Sequence, residues 1–264
     1  MKNTDQLILT HYKKVAKNFG NSPFSTMRDQ YIRNSEIDFV LGQIMVLWTS
    51  GVEVNTVLDI GCGNGYLLEK ISELFPHIEL YGLEFTPELY ELSKERKIRN
   101  CHIIQGDIRE PIMDLPKVDI IISERVLINI LTWKEQYQAF KNISNQLNSG
   151  GHFIMIESFQ PPLVRLNHAR KEFGEAPLPV SYQNRYFNNL LYGYMTKLGF
   201  IEKEGFLEKN YLSTHFYLTR VLHPAIRARK GRLKDTMFVE FFNQALPSAV
   251  GDFSPILFHL FQKE

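Results

Sequence analysis

The sequence predicts an α/β fold: a seven-stranded, mostly parallel sheet flanked by helices, with an antiparallel hairpin at one edge. Three observations lead there. From about residue 55 to 158 short apolar runs alternate with amphipathic segments of helical period, the pattern of strands joined by crossover helices. The apolar runs are rich in Ile, Leu and Val and bounded by turn residues, as strands buried on both faces require. At "VLDIGCGNGYLLEKI" (57–71) an apolar run ends in an acid, three glycines follow at alternate positions, and a helical stripe begins at once. A strand is entering a helix there through a tight turn.

In chain order, residues 1–50 read as mostly helical, with a break at "NSPFSTM". "TVLDI", "IELYGLE", "CHIIQ", "VDIIIS" and "GHFIMIES" are the parallel strands, joined by right-handed crossovers. Leu67, Leu68, Ile71, Leu74 and Phe75 share one stripe of the helix after the glycine turn, and "TWKEQYQAFKNISNQL" repeats that period. "QPPLVRLNHARKEFGEAPLPVSYQNRYF" is proline-rich and reads as a loop-rich excursion from the sheet. "FNNLLYGYMTKLGF" reads as a helix closed by Gly199, glycine being the residue that ends helices at positive φ. "IEKEGFLEK" and "YLSTHFYLTRVL" read as the two strands of the edge hairpin. His215 falls within the second of these and His152 at the start of the fifth parallel strand, both as structural residues. No linker interrupts the chain, so one domain is expected over 1–264: a helical cap (1–50), a ligand-binding core (51–158), and an acceptor-side insertion with the C-terminal hairpin (159–264).

Composition excludes several classes. Of 264 residues, 44 % are hydrophobic and 22 % charged, an ordinary globular balance rather than a disordered one. A net charge of +1 gives no bulk attraction to nucleic acid or an anionic membrane. Two cysteines, Cys62 and Cys101, are too few for a disulfide framework or a CxxC metal site. The start shows no signal peptide, and no later run approaches a membrane span; a cytoplasmic protein is expected. "RVLHPAIRARKGRLK" (220–234) has six Lys or Arg and no acid. A solvated surface is its first explanation, an anion site for a nucleotide-sugar or lipid-phosphate acceptor the second, and RNA the third, since repeated aromatics for base stacking are missing.

The glycine turn brings backbone close to any ligand at the strand's carboxyl end. A dinucleotide fingerprint, G-x-G-x-x-G, started at Gly61 would need glycine at position 66; the chain has Tyr66, and its third glycine is Gly65. Asp59 also stands where two phosphates would sit. A carboxylate there suits positive charge, or hydroxyl and ammonium donors, better than it suits NAD.

"VLDIGCGNG" resembles the first motif of the class I S-adenosylmethionine-dependent methyltransferases, D-x-G-x-G-x-G. The resemblance continues in order over 55–158, about forty per cent of the chain. It implies a Rossmann-like sheet and S-adenosylmethionine as cofactor, with S-adenosylhomocysteine as product. It also implies that the loop of Gly61, Cys62, Gly63, Asn64 and Gly65 lies under the methionine and ribose. Asp59 would order the loop and face the amino group. Glu84, followed by Phe85 in "LYGLEF", would take the ribose hydroxyls, two adjacent donors for two carboxylate oxygens. In "IIQGDIRE" Asp107 would accept from the adenine amine while Ile108 covers the ring. Glu124 and Arg125 of "IISERVLINI" would pass the sulfonium; they depart from the [DN]-P-P-[YF] of amino-methylating enzymes, which argues against that acceptor class. "NQLNSGGHFIMIES" matches the family's helix, glycine turn and fifth strand, with Ser149 in place of the usual proline. Tyr12, Met27 and Arg33 of the N-terminal stretch are further cofactor contacts in prospect, Arg33 for the methionine carboxylate.

The acceptor side is expected from what lies outside this core. Glu157 ends the fifth strand and His168 follows it; these are the candidates for a base, because a hydroxyl acceptor gains from one. Arg170, Tyr182, Asn184, Arg185 and Tyr186 are candidate acceptor contacts. "LNHAR", "YQNRYF" and the C-terminal "STHFYLTRVL…GDFSPILFHLFQK" are also similar to the methyltransferases of bacterial surface-polysaccharide clusters, with Gln183 where those relatives tend to have histidine. This implies a small polar acceptor, a sugar or nucleotide-sugar hydroxyl. No acid cluster calls for a metal. A cofactor-binding sensor or partner subunit without catalysis is the second reading, and an NAD-dependent oxidoreductase the third.

Overall fold

The computed structural model of the chain describes residues 3–112, 115–227 and 237–264. Two helices, α1 (Asn3–Phe19) and α2 (Gln30–Thr49), precede the sheet. Then β1 (Thr56–Ile60), α3 (Tyr66–Leu74), β2 (Glu79–Glu84), α4 (Pro87–Glu95), β3 (Cys101–Gln105) and β4 (Val118–Glu124) alternate. A 3₁₀ turn (Leu127–Asn129), α5 (Trp133–Gln146) and β5 (Leu147–Ser158) complete the parallel part. Afterwards come α6 (Gln160–Glu172), α7 (Leu190–Lys197) and β6 (Phe200–Lys203). Next is a continuous helical stretch, α8 (Ser213–Tyr217), a π turn (Leu218–Leu222) and α9 (His223–Arg227). α10 (Met237–Ala245) and β7 (Ile256–Lys263) close the chain.

The seven strands lie in the order β3-β2-β1-β4-β5-β7-β6. All pairs from β3 to β5 are parallel, and β7 runs antiparallel to both β5 and β6. Successive residues on a strand face opposite sides, so the sheet separates two apolar layers. Ile120, Ile122, Ile154 and Ile156 pack with Phe39, Val40 and Ile44 of α2 and with Leu68 and Ile71 of α3. Ile121, Phe153 and Met155 pack with Phe140 and Ile143 of α5 and with Leu191 and Met195 of α7. Burial on both faces explains why these strands read as apolar runs rather than alternating ones. Among the described residues no helix is long and apolar enough to cross a membrane.

The mostly parallel sheet with an antiparallel edge is as the sequence predicts, but the edge is built from other residues. "YLSTHFYLTRVL" is helical, and the strand that pairs with β6 is β7, near the C-terminus. Leu212, Phe216 and Val221 all enter the apolar layer under α2; their spacings of four and five fit an α turn followed by the π turn. β7 lies between β5 and β6 and is buried at its first six positions, the pattern of an interior strand.

The expected loop after β5 is also corrected. Residues 160–172 form α6, with Pro161 and Pro162 in its first turn, where a missing N–H costs nothing because no helical carbonyl would accept it. His215 stands on α8, not a strand. It is buried, within 3.0 Å of Asp29 Oδ2 and 2.9 Å of Asn243 Nδ2, and stacked on Tyr31. His152 is a buried residue of β5 opposite Ile120 and Gln262, at the far end from the strand tips that carry the acids. Of the basic stretch 220–234, Arg220 binds Asp29 Oδ2 at 3.2 Å; residues 228–234 lie outside the described residues.

Candidate functional site

The carboxyl ends of β1, β2, β3 and β4 open into one cleft. It sits where the parallel order reverses about β1 and β4, the position at which such sheets bind ligands. Its floor is the glycine turn. Gly61, Gly63 and Gly65 have φ of +68°, +58° and +78°, a region open to glycine at no steric cost. The Gly61 and Cys62 N–H groups donate to the Leu83 carbonyl, Gly65 N–H to the Cys62 carbonyl, and Tyr66 N–H to Asn64 Oδ1. Gly63 N–H donates to Glu84 Oε2 at 2.9 Å. These five amides already have acceptors in the protein, so the turn presents no nest of free N–H groups to a pyrophosphate.

Glu84 ends β2 and holds this turn: Oε2 accepts from Gly63 and Oε1 from Thr86 N–H at 2.7 Å. Burial raises its pKa, against the pull of those backbone donors. Asn64 Nδ2 donates to the Gly20 and Ser22 carbonyls, and Arg96 donates to the Asn64 and Asn21 carbonyls. The loop after α1 is thereby fastened to the glycine turn. Asp59 lies inside the cleft without ordering that turn, which is the work of Glu84 and Asn64. Burial, reinforced by Glu124, pushes the Asp59 carboxyl well above the ordinary range.

α1 roofs the cleft with Asp5, Ile8 and Tyr12. Tyr12 Oη donates to Asn129 Oδ1 at 2.7 Å, and burial pushes its phenol up to about 12. Arg109 Nη1 binds Asp5 at 2.8 Å, while its Nε and Nη2 grip both oxygens of Asp107. The acid expected to meet an adenine amine is therefore shared with an arginine that the sequence reading passed over. Phe85 and Ile108 line the same end.

At the tip of β4 four ionisable side chains, none more than 13 % exposed, link α2 to the cleft. Glu124 Oε1 takes Arg33 Nη1, and Arg125 Nη2 at 3.0 Å; Arg125 Nε binds Glu36 Oε1 at 2.8 Å. Burial pushes Glu36 up to about 8 despite Arg125. Arg125 itself has φ +57°, an uncommon conformation for a side-chain-bearing residue.

The other expected residues are placed as follows. Glu157 is fully buried and lies outside the cleft lining. Its carboxylate accepts from Ser123 Oγ and from the N–H groups of Val126, Leu127 and Ile128, so it anchors the 3₁₀ turn. Burial raises it to about 7, against those donors. His168 is an exposed residue of α6, away from the cleft. Arg170 is buried against the Ala176 and Arg220 carbonyls, and Met27 packs on the apolar core. Arg185 lies over the Trp133 ring at 4.9 Å. Asn184 accepts from Asn129 Nδ2 at 2.8 Å, Tyr186 bonds to Ser158 and Asn184, and Tyr182 shares a 3.2 Å hydrogen bond with His11 of α1. Arg109 and Asn129 stand inside the quoted strand-end stretches "IIQGDIRE" and "IISERVLINI" but were passed over because the neighbouring acids drew the assignment, and Arg96 is a single polar residue outside any motif. Among the described residues no group of three or more His, Cys, Asp or Glu could hold a metal ion.

Sheet order, cleft position and glycine turn together define a Rossmann-like methyltransferase fold. Residues 53–191 match the methyltransferase domain family, and the chain belongs to that family, the class I S-adenosylmethionine-dependent methyltransferases. It is 25 % identical over 167 residues to the malonyl-[acyl-carrier protein] O-methyltransferase of Bacillus anthracis, covering 61 % of this chain and 54 % of that protein. The chain spans about half the length of the curated relatives it matches. A putative methyltransferase solved with the Haloferax volcanii Trm112 activator superposes with a TM-score of 0.58 at 13 % identity, covering 100 % and 98 % of the two chains. Magnesium protoporphyrin IX methyltransferase of Synechocystis, solved with S-adenosylhomocysteine, superposes with a TM-score of 0.57 at 13 % identity, covering 98 % and 96 %. At such identities these two likenesses concern the fold.

The cleft fits the family's cofactor. A Cβ on Gly63 would meet no protein atom within 4 Å, so the turn leaves that space to a ligand. Glu124 Oε2 is buried without a partner, and the acids facing the cleft suit hydroxyl, amine and ammonium donors.

Proposed function

We propose that the protein transfers a methyl group from S-adenosylmethionine to a small polar acceptor, with a sugar or glycan-precursor hydroxyl as the favoured class. One observation carries this reading: Asp59, Glu84 and Asp107, at the ends of three successive parallel strands, line a single cleft above a turn in which five amides already have protein acceptors. When bound, the cofactor supplies an electrophilic methyl group. The chain's part is to bind and align. Glu84 holds the turn and has lone pairs left for two ribose hydroxyls, Phe85 and Ile108 cover the purine, and Arg33 takes the methionine carboxylate. α1 excludes water, and transfer then rests on proximity.

Tyr12 and Asn129, uncharged hydrogen-bonding groups that line the cleft, with Asn184 bonded to Asn129 behind them, support a neutral hydroxylated acceptor. A carboxylate acceptor is the second reading. Glu157 and His168 both stand outside the cleft, and a carboxylate has no proton to lose; the Bacillus relative is named for a malonyl group. Incubation with methyl-labelled cofactor against panels of nucleotide-sugars and of carboxylic acids tests both. Label that survives mild alkali in a sugar supports the first reading, and label released as methanol supports the second. Cofactor binding without transfer to any acceptor would favour a sensor.

A further inference from the structure

The arginines around the cleft hold carboxylates: Arg33 and Arg125 take Glu124, Arg96 takes Glu69, and Arg109 takes Asp107. Arg185 is different. Among the described residues it has no ion pair, and its Nε–H is buried without an acceptor. Its guanidinium lies over the Trp133 ring at 4.9 Å. Such stacking uses the flat face of the fork and leaves its Nη edge free for hydrogen bonds in the plane. The main chain beneath is fixed on both sides. Arg185 N–H donates to the Ile128 carbonyl at 2.6 Å, and the Arg185 carbonyl accepts from Gln136 Nε2 at 3.0 Å. Trp133 is packed in turn on Phe187 and Tyr137. A half-buried cation is thus held in place, partly stripped of water and not neutralised. An anion arriving there meets a strengthened field and has little ordering to impose.

Its position gives this cation a use. Asn184, the preceding residue, bonds to Asn129, and Asn129 and Ile130 line the cleft. Arg185 stands outside that lining, at its rim. We propose that Arg185 is the docking point for an oxyanion carried by the acceptor, a phosphate or a carboxylate separate from the hydroxyl that is methylated. The inference rests on the acceptor reading above and deepens it. The neutral hydroxyl enters beside Tyr12 and Asn129, and the guanidinium reads a charge on another part of the same molecule. The planar fork suits either oxyanion, since both present two oxygens to two parallel N–H groups. A phosphorylated sugar meets both requirements in one molecule, whereas a free neutral sugar meets only the first.

Tryptophan emission tests the assignment. The chain has two tryptophans, and Trp48, in the last turn of α2, is 51 % exposed. Trp48→Phe leaves Trp133, beneath Arg185, as the single reporter. With S-adenosylhomocysteine present, its emission should move saturably with inorganic phosphate, glucose 1-phosphate or malonate, and not with chloride at equal ionic strength. Tighter binding of glucose 1-phosphate than of malonate makes phosphate the natural group, and the reverse makes it carboxylate. Arg185→Gln in the same background should weaken the preferred anion roughly ten- to a hundredfold, while calorimetry finds its affinity for S-adenosylhomocysteine unchanged. Emission that responds to no anion more than to chloride overturns the proposal, as does Arg185→Gln that titrates like its parent. Should Arg185→Gln fail to fold, Arg185→Lys replaces it. That variant keeps the charge but loses the planar fork, and undiminished anion affinity would overturn the assignment. Wild type that does not bind S-adenosylhomocysteine defeats the cofactor reading, whereas the anion titration, repeated without it, still decides the role of Arg185.

Discussion

Gly61 combines φ +68° with a Cβ direction blocked by the methyl groups of Val126. Gly61→Ala is therefore expected to lower stability by about 1–3 kcal/mol, read from the urea midpoint, and to weaken S-adenosylhomocysteine binding as the turn shifts. Glu84→Gln keeps the shape but puts an amide where the carboxylate accepts from the Gly63 or Thr86 N–H. Its affinity for S-adenosylhomocysteine should fall at least tenfold, taking roughly 1.5–3 kcal/mol for a bond to a charged group. Glu157 yields a different expectation. Glu157→Gln should cost about 1–3 kcal/mol in stability by disturbing the donors of residues 126–128, while the pH–rate profile keeps its shape. A profile that loses one limb would instead make Glu157 the base. The acids of the cleft were legible because each closes a recognisable strand. Glu157 closes a strand too, but the backbone of the neighbouring turn captures its carboxylate, and a sequence does not display that capture.

At the scale of elements, α1 is joined to the cleft by two contacts, Arg109 with Asp5 and Tyr12 with Asn129, and to α4 by a third, Lys13 with Glu88 at 2.8 Å. Lys13 is largely exposed, so that pair contributes little; the Arg109 contact is mostly buried and carries more. Arg109→Ala should raise hydrogen exchange in the first turns of α1 while the strands keep wild-type protection. Equal exchange in α1 would show that Arg109 does not hold it. Residues 1–50 were legible as mostly helical, and α3 and α5 were legible from their apolar stripes. α6 was not, because prolines that end a helix elsewhere are harmless in a first turn. The 211–222 segment failed for another reason: a π turn breaks the regular period, and its β-branched and aromatic residues resemble a strand. β7 was passed over although its continuous apolar run is the signature of an interior strand.

For the molecule as a whole, the sheet is locked at the end opposite the cleft by Asp119, which accepts from Asn55 N–H, Thr56 N–H, Thr56 Oγ1 and Asn148 Nδ2. Burial pushes this carboxyl up, but those bonds outweigh it and hold the pKa below the ordinary value. The native state then binds fewer protons than the unfolded chain. The contribution is complete above the unfolded pKa, about 4, and is lost as pH falls through the folded value. The stability gap between wild type and Asp119→Ala should be about 2 kcal/mol near neutrality and shrink below about pH 4; a gap independent of pH would contradict the assignment. Removing residues 254–264 takes β7 from between β5 and β6 and should leave an insoluble chain rather than a six-stranded enzyme. The position of β7 bears on biosynthesis as well. While the ribosome is still reading codons before 256, a nascent chain can assemble β1 to β5, yet β6 has nothing to zip onto and the flank of β5 stays bare. Such a flank is a template for wrong pairing with other chains. Chaperone demand during translation should therefore peak late, in the interval between the emergence of β5 and the release of the residues that cover it.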